Sequence, residues 1–199
     1  GAAEDAAQGI RNMNLREAGE QMLNFAGKIK DAFVNLLDLT EQTKEFNSLT
    51  SKLEGASVQN GYDIETSQNL AKEGYSYTGD DMMAVNVVTN LQGLNLPQNE
   101  LDETVSAAIA TWTAYGDSIP IEGLTESINE TAQVGKVTGS LADALNWTAG
   151  EEDAFNKKLE ACKTTQERAS LITDTLNGKF GESKRVFEES NSALMDYQE

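Results

Sequence analysis

Three carboxylates, Asp117, Glu122 and Glu126, lie within one short stretch of the chain. Most glycosidases hydrolyse their substrates with a pair of such groups, held several ångströms apart across a cleft. One of the two must lie in surroundings that raise its pKa, so that it can act as the acid. The chain contains 33 acidic residues, and carboxylates therefore come close together in sequence by chance. Their spacing alone does not define a catalytic pair.

The same stretch contains residues that end one helix and begin the next. Gly116 is a typical helix stop and Pro120 a typical helix start. Asp117 and Ser118, between them, have side chains that can satisfy free backbone amides. The apolar residues that follow share one face of a helix: Ile121, Leu124, Ile128 and Ala132. The sequence therefore predicts a structural corner between two packed helices.

The other polar and reactive residues also have structural interpretations. Asp80 and Asp81 lack the further oxygen ligands of a calcium loop, so they are predicted to cap a helix. There is no histidine, and the single cysteine, Cys162, excludes a Cys/His zinc site and an intrachain disulfide. Cys162 is expected on a buried helix face, and Trp112 and Trp147 in the core. We predict no catalytic, cofactor-binding or metal-binding residue and no enzymatic activity.

The charge of the chain is strongly negative. It has 15 basic and 33 acidic residues, a net charge of −18 and an isoelectric point near 4.3. Such a surface repels nucleic acid and anionic lipid, so we predict no direct nucleic acid binding. Solubility accounts for the charge, and an acidic docking patch is the alternative. No apolar run has membrane-spanning length, and the N-terminus does not have the layout of a signal peptide.

The helices that must hold these residues begin with a long apolar repeat from Leu15 to Leu53. Its heptad spacing predicts a long N-terminal helix with a coiled-coil-like seam. The seam fits packing within an ordinary helical bundle and also self-association. The residues expected to mediate self-association are Leu15, Met22, Phe25, Ile29, Leu36, Leu39, Phe46 and Leu53.

Shorter helices are predicted after Gly55 and the turn at Asn60-Gly61. Their predicted limits are Ile64 to Glu73 with a stop at Gly74, Asp80 or Asp81 to Gly93, and Pro97 to Gly116. Thr148 with Glu151, and Thr164 with Glu167, form sequence patterns of the capping box, and each is predicted to open a helix. A final helix is expected after Gly181. The predicted fold is all-α, with a long N-terminal helix followed by a compact array of short helices.

These patterns predict four regions along the chain. Residues 1–13 are expected to be a disordered or tag-derived start, and 14–57 the long helical arm. Residues 58–180 are predicted to form a compact multi-helix domain, and 181–199 a C-terminal helix. The starting glycine and the lack of a stop signal after the last helix suggest a piece of a longer protein.

One block of the chain resembles a known family. The run TWTAYGDSIPIEGLTESINETAQVGKVTGSLADALNW, continued by GEEDAFNKKLEACKTTQERASLITDTL, is similar to a segment of tail tape measure proteins from phages and prophages of Gram-positive bacteria. The resemblance runs from about Thr111 to Leu176, and the region from Phe46 to Leu96 is similar in character. Within it, WTAYGDSIPIEGLTE is the longest specific run.

The resemblance implies a long, mainly helical parent protein in the lumen of a phage tail tube, made in the bacterial cytoplasm. Its length would set the tail length, tube and tail assembly proteins would collect around it, and it would leave before the DNA. Members are thought to occupy each tail in several copies, which would provide a partner for the Leu15–Leu53 seam. The family motif implies no catalytic residue.

Two other functions are compatible with the residues alone. A helical binding or adhesion module of a bacterial surface or secreted protein would use the acidic exterior as a docking face. A cell-wall hydrolase would use a carboxylate pair, for which Asp117, Glu122 and Glu126 are the candidates. We favour the structural segment of a tail.

Overall fold

The computed structural model describes residues 40–192 and 195–196, and every regular element in them is helical. The all-α prediction is confirmed. The elements are α1 (Thr40–Asn60), α2 (Ile64–Thr78), α3 (Asp81–Gln92), α4 (Gln98–Tyr115), a 3₁₀ turn (Gly116–Ser118), α5 (Ile121–Val134), α6 (Gly139–Leu145), α7 (Ala149–Ala161) and α8 (Thr165–Ser190).

Most of the predicted N-terminal helix, with the seam positions from Leu15 to Leu39, lies outside the described residues. Within α1, Leu53 is buried and Phe46 half-buried. The seam as a route to self-association therefore stays a prediction.

The end of α1 differs from the sequence prediction, since the helix continues through Gly55 to Asn60. It ends in a Schellman motif, in which the Tyr62 amide donates to the Ser57 carbonyl at 2.8 Å. Gly61 has a φ of 79°, which a glycine adopts without strain. A glycine ends a helix where it takes this left-handed conformation, and here that residue is Gly61.

The predicted stop at Gly74 was also wrong. Helix α2 continues to Thr78 and ends at Gly79, whose left-handed conformation (φ 66°, ψ 14°) terminates it. A Cβ built on Gly74 would lie 3.5 Å from the Cα and Cβ of Ala84, so α2 and α3 pack closely at this point. At its start α2 is capped by Asp63, which accepts the Thr66 amide at 2.9 Å. This hydrogen bond lowers the pKa of Asp63.

The two capping-box patterns have different outcomes. Thr148 and Glu151 form both bonds of the box, the Thr148 amide donating to the Glu151 carboxylate at 2.8 Å. Thr164 accepts the Glu167 amide at 3.1 Å, as predicted. The Glu167 carboxylate, however, accepts the amide of Lys163, one residue before the predicted one.

Helices α8 and α6 also differ from the sequence predictions. The separate helix expected after Gly181 is the last part of α8, which runs unbroken through Gly178 and Gly181. No atom lies within 4 Å of a Cβ built on either glycine, and both keep helical backbone angles. Helix α6 was not predicted, because seven residues are too few to show a helical period.

The chain divides into two compact units, and each has its own buried apolar residues. The second unit is Asn90–Ser190, and the first contains the other described residues, 40–89, 191–192 and 195–196. Buried side chains of the first unit include Leu53, Leu70, Ala71, Ala84, Val85 and Val88. Those of the second include Leu101, Ile109, Ile121, Leu124, Ile128, Leu141, Leu159, Ile172 and Leu176. The predicted limits of the arm (14–57) and of the domain (58–180) stay predictions.

Within the second unit, α8 packs mainly on α4 and also on α5, and α5 packs on α6. Contacts between α4 and α8 join Thr104 to Thr173 and, further along both helices, Thr113 to Ser183. The two helices therefore run parallel. Parallel neighbours need a long crossover between them, and here α5, α6 and α7 form it.

Candidate functional site

The predicted corner between α4 and α5 is present. Helix α4 ends at Gly116, whose amide donates to the Trp112 carbonyl and whose backbone lies at φ 59° and ψ −138°. Pro120, with φ −56°, immediately precedes α5. The four residues predicted to share one buried face are fully buried: Ile121, Leu124, Ile128 and Ala132.

The three candidate carboxylates occupy different surroundings at this corner. Asp117 is exposed in the 3₁₀ turn, and Glu126 is exposed on α5. Glu122 is half-buried in the first turn of α5, four residues before Glu126 and on the same face. Exposed carboxylates lack the apolar surroundings that a glycosidase general acid needs. The expectation that Asp117 and Ser118 cap free amides is wrong for α5, whose N-terminus has no side-chain cap.

The connection between α5 and α6, residues 135–138, is held by side chains from distant helices. Arg168 on α8 donates to the carbonyls of Ala132 and Gln133, the latter at 3.4 Å, at the C-terminal end of α5. A positive charge at this end is favourable because free carbonyls and the helix dipole make it negative. On α7, the Asn156 side-chain oxygen accepts the Val137 amide at 2.9 Å. The sequence carries no local signal for these bonds, because the partners are far apart along the chain.

The short helix α6 is bonded at both ends. Near its start, the Leu141 amide donates to the buried Ser127 hydroxyl at 2.9 Å. Near its end, the Tyr115 hydroxyl donates to the Ala144 carbonyl at 2.6 Å. These bonds satisfy backbone groups that a helix of seven residues leaves unpaired. Their role is to position α6.

Hydroxyl groups form a polar seam between α4 and α8. The Thr104 and Thr173 hydroxyls, both buried, lie 2.9 Å apart. Thr104 donates its own proton to a carbonyl on α4, so Thr173 is the donor between the two. Further along, Lys184 donates to Ser106 at 2.9 Å and lies 3.7 Å from Glu188. Paired hydroxyls in a core fix the register of two helices without leaving unsatisfied groups.

A buried lysine is the least expected feature of the first unit. Lys72 is only 1% exposed, and its ammonium lies 5.2 Å from the centre of the Tyr75 ring. Burial raises the pKa of Asp81, the neighbouring Asp80 raises it further, and the charge of Lys72 opposes both. Asp80 caps α3 as predicted, accepting the Met83 amide at 3.0 Å. Lysine is seldom buried, so the sequence pattern does not predict this position.

The two tryptophans are half-buried, whereas the sequence analysis expected them in the core. The Trp112 ring packs edge-on against Phe187, with 5.6 Å between the ring centres. Trp147 packs in the same way against Phe155 at 4.9 Å, and Lys179 lies 5.7 Å from its ring centre. Such aromatic pairs stabilise packing at the edge of a core.

The prediction that Cys162 lies on a buried helix face was wrong. Cys162 is half-buried and follows the last residue of α7, so it does not lie on a buried helix face. Its thiol donates to the Lys158 carbonyl at 3.3 Å. It acts as the residue at which α7 stops.

Two kinds of functional feature are absent from the described ranges, a metal site and a membrane-spanning helix. In residues 40–192 and 195–196, no three His, Cys, Asp or Glu side chains are placed to hold a metal ion. None of the helices described there combines the length and the apolar character that crossing a membrane requires. A comparison with protein families, curated proteins and solved structures found no match for this chain.

Proposed function

We propose that this chain is a structural segment of a phage tail tape measure protein, which sets tail length and templates assembly of the tail tube. The observation that carries the proposal is the resemblance of residues 111–176 to that family. This stretch runs from the end of α4 to the middle of α8 and lies wholly within the second unit.

The roles of the distinctive residues in the resembling run support a structural function. Gly116 and Pro120 end one helix and precede the next, and Thr148 with Glu151 caps α7. Each is accounted for by a local backbone requirement. A family motif built from such residues specifies a shape, and a helical shape suits a ruler because each residue adds a fixed rise.

The charge distribution supports a location that the protein shares with DNA. Residues 73–135 contain ten acidic residues and no lysine or arginine. A surface of this kind does not neutralise phosphates, so DNA can pass without being bound. We place the protein in the lumen of the tail tube, with tube and tail assembly proteins as its partners. Retention of the chain on DNA at physiological salt would contradict this part of the proposal.

Tail length in a phage that encodes the parent protein tests the proposal. An in-frame deletion of about 40 residues of continuous helix should shorten the tail by about 60 Å, and a duplication of the same segment should lengthen it equally. Electron microscopy of purified virions measures both changes. The matched control is the double substitution Asp117→Ala and Glu126→Ala, which should leave the length unchanged.

The two alternative functions give different outcomes. Virions of normal tail length after both the deletion and the duplication would refute the ruler function. Binding of the chain to bacterial cells would then favour an adhesion module. Clearing of peptidoglycan in a zymogram, abolished by the same Asp117/Glu126 substitutions, would instead identify a cell-wall hydrolase.

A further inference from the structure

The chain contains two Asn-Gly dipeptides, Asn60-Gly61 and Asn177-Gly178, in different structural settings. An asparagine followed by glycine can modify itself, because no side chain on the glycine hinders ring closure. The glycine amide nitrogen attacks Cγ of the asparagine, the Cγ–Nδ2 bond breaks, and ammonia leaves with the amide proton. Water then opens the cyclic succinimide to aspartate or isoaspartate. The reaction needs no reactant other than water.

Asn60 is the last residue of α1, and Gly61 is exposed with a φ of 79°. Three hydrogen bonds hold this end of the helix, and one of them runs from the Tyr62 amide to the Ser57 carbonyl at 2.8 Å. The Gly61 amide donates to the Val58 carbonyl over a long 3.3 Å, and the Asn60 side-chain amide donates to the Ala56 carbonyl at 2.8 Å. A Cβ built on Gly61 would have no atom within 4 Å, so the space around the glycine is open. Ring closure here requires only the last turn of α1 to open, and helix ends open at low free-energy cost.

Asn177 and Gly178 are both exposed, whereas Asn60 is half-buried, but Asn177 and Gly178 lie in the interior of α8. About three turns of helix extend on either side of them. Ring closure would require Asn177 to leave its helical backbone angles and would interrupt hydrogen bonds in both directions. The residues that precede this point anchor the helix, since Ile172, Thr173 and Leu176 are buried.

We propose that Asn60-Gly61 is a site of spontaneous succinimide formation and deamidation in the folded chain, whereas α8 protects the same dipeptide at Asn177-Gly178. The two dipeptides share their chemistry and differ in the backbone around them. The deamidation rates at the two sites can therefore be compared within one chain, and the rate at Asn177 measures how often α8 opens.

The modification would change the end of α1. The side-chain amide of Asn60 that donates to Ala56 would become a carboxylate, which cannot donate to that carbonyl. A negative charge at the C-terminal end of a helix also opposes the helix dipole. The turn between α1 and α2 should therefore loosen as the protein ages.

Mass spectrometry of the intact 199-residue chain during incubation in mildly alkaline buffer tests the proposal. Trypsin releases the two dipeptides in separate peptides, residues 53–72 and residues 169–179. Two changes are monitored in each peptide. One is the mass increase that accompanies replacement of NH2 by OH, and the other is the appearance of isoaspartate. In the folded chain, residues 53–72 should convert about tenfold faster or more, because opening a helix interior costs at least 1.4 kcal/mol more than opening its end.

Two controls make the comparison decisive. In denaturant the two peptides should convert at similar rates, since the backbone no longer distinguishes them. Asn60→Gln should abolish conversion in residues 53–72, and persistent conversion would assign the reaction to Asn69 in the same peptide. Equal rates in the folded chain, faster conversion of residues 169–179, or an unreactive Asn60 would each overturn the proposal.

Discussion

The corner between α4 and α5 and the connection between α5 and α6 are both short, and both start at a glycine with positive φ. They are held in different ways. At the corner, α5 starts without a side-chain cap, and its first residue, Ile121, is fully buried. At the connection, Arg168 and Asn156 from other helices bond the backbone directly.

This difference separates two ways of fixing a turn. Gly116 and Pro120 impose the corner through their own backbone preferences, and apolar burial then holds the helix that follows. The 135–138 connection depends on polar groups that reach it only when the second unit is folded. The corner should therefore be sensitive to loss of apolar volume, and the connection to loss of hydrogen-bond partners.

The largest effect is expected from Ile121→Ala at the corner. Removal of a fully buried branched side chain leaves a cavity and should lower the free energy of unfolding by about 2 to 5 kcal/mol. Denaturant unfolding followed by circular dichroism measures the change. The control is Asp117→Ala, an exposed residue of the same corner, which should change stability by less than about 0.5 kcal/mol. A larger loss from the Asp117 variant would mean that polar contacts hold the corner.

Arg168→Ala should have the next largest effect, on the connection. It leaves the Ala132 and Gln133 carbonyls without their charged donor and should cost about 1.5 to 3 kcal/mol. Hydrogen exchange should accelerate in residues 135–141 and stay unchanged at the corner. Arg185→Ala is a matched control, because Arg185 is exposed and its hydrogen bonds within the described residues go to glutamates of its own helix. Uniform acceleration across the second unit would show that Arg168 acts on global stability alone.

The smallest expected effect is the difference in stability between alanine variants of the two glycines, Gly116 and Gly135. Gly116→Ala places a side chain at φ 59° and ψ −138°, a region almost restricted to glycine, and should cost about 1 to 3 kcal/mol. Gly135→Ala uses the left-handed helical region (φ 83°, ψ 23°) and should cost about 1 to 2 kcal/mol. Neither added Cβ would meet an atom closer than 3.6 Å, so the difference measures backbone strain. Thermal unfolding of the two variants measures this difference. A larger loss of stability in the Gly135 variant than in the Gly116 variant would contradict the prediction.

The sequence predicted those parts of the fold for which the signal is local. The helix that follows Asp80, the capping box at Thr148, and the stop and start at Gly116 and Pro120 all depend on residues within one turn of each other. Helix limits were misplaced where glycine lies inside a helix, as at Gly55, Gly74 and Gly181. Gly61 and Gly79, which do end helices, have positive φ, and packing elsewhere decides whether a glycine takes that conformation.

The residues that sequence reasoning missed around the candidate site are all polar groups with distant partners. Arg168 reaches the end of α5, and Ser127 holds the start of α6. Each would be placed on the surface by residue type alone. Their positions depend on which helices become neighbours, and a helical period does not contain that information.

By itself the sequence determined that the described part of this protein is helical, acidic and punctuated by its own caps and stops. These properties follow from backbone preferences, apolar spacing and charge, which act over a few residues. Only the tertiary structure decided that α4 and α8 run parallel, that α8 passes unbroken through two glycines, and that distant side chains complete the α5–α6 connection. Such features arise because buried polar groups must find partners once the helices pack, and those partners are chosen in space.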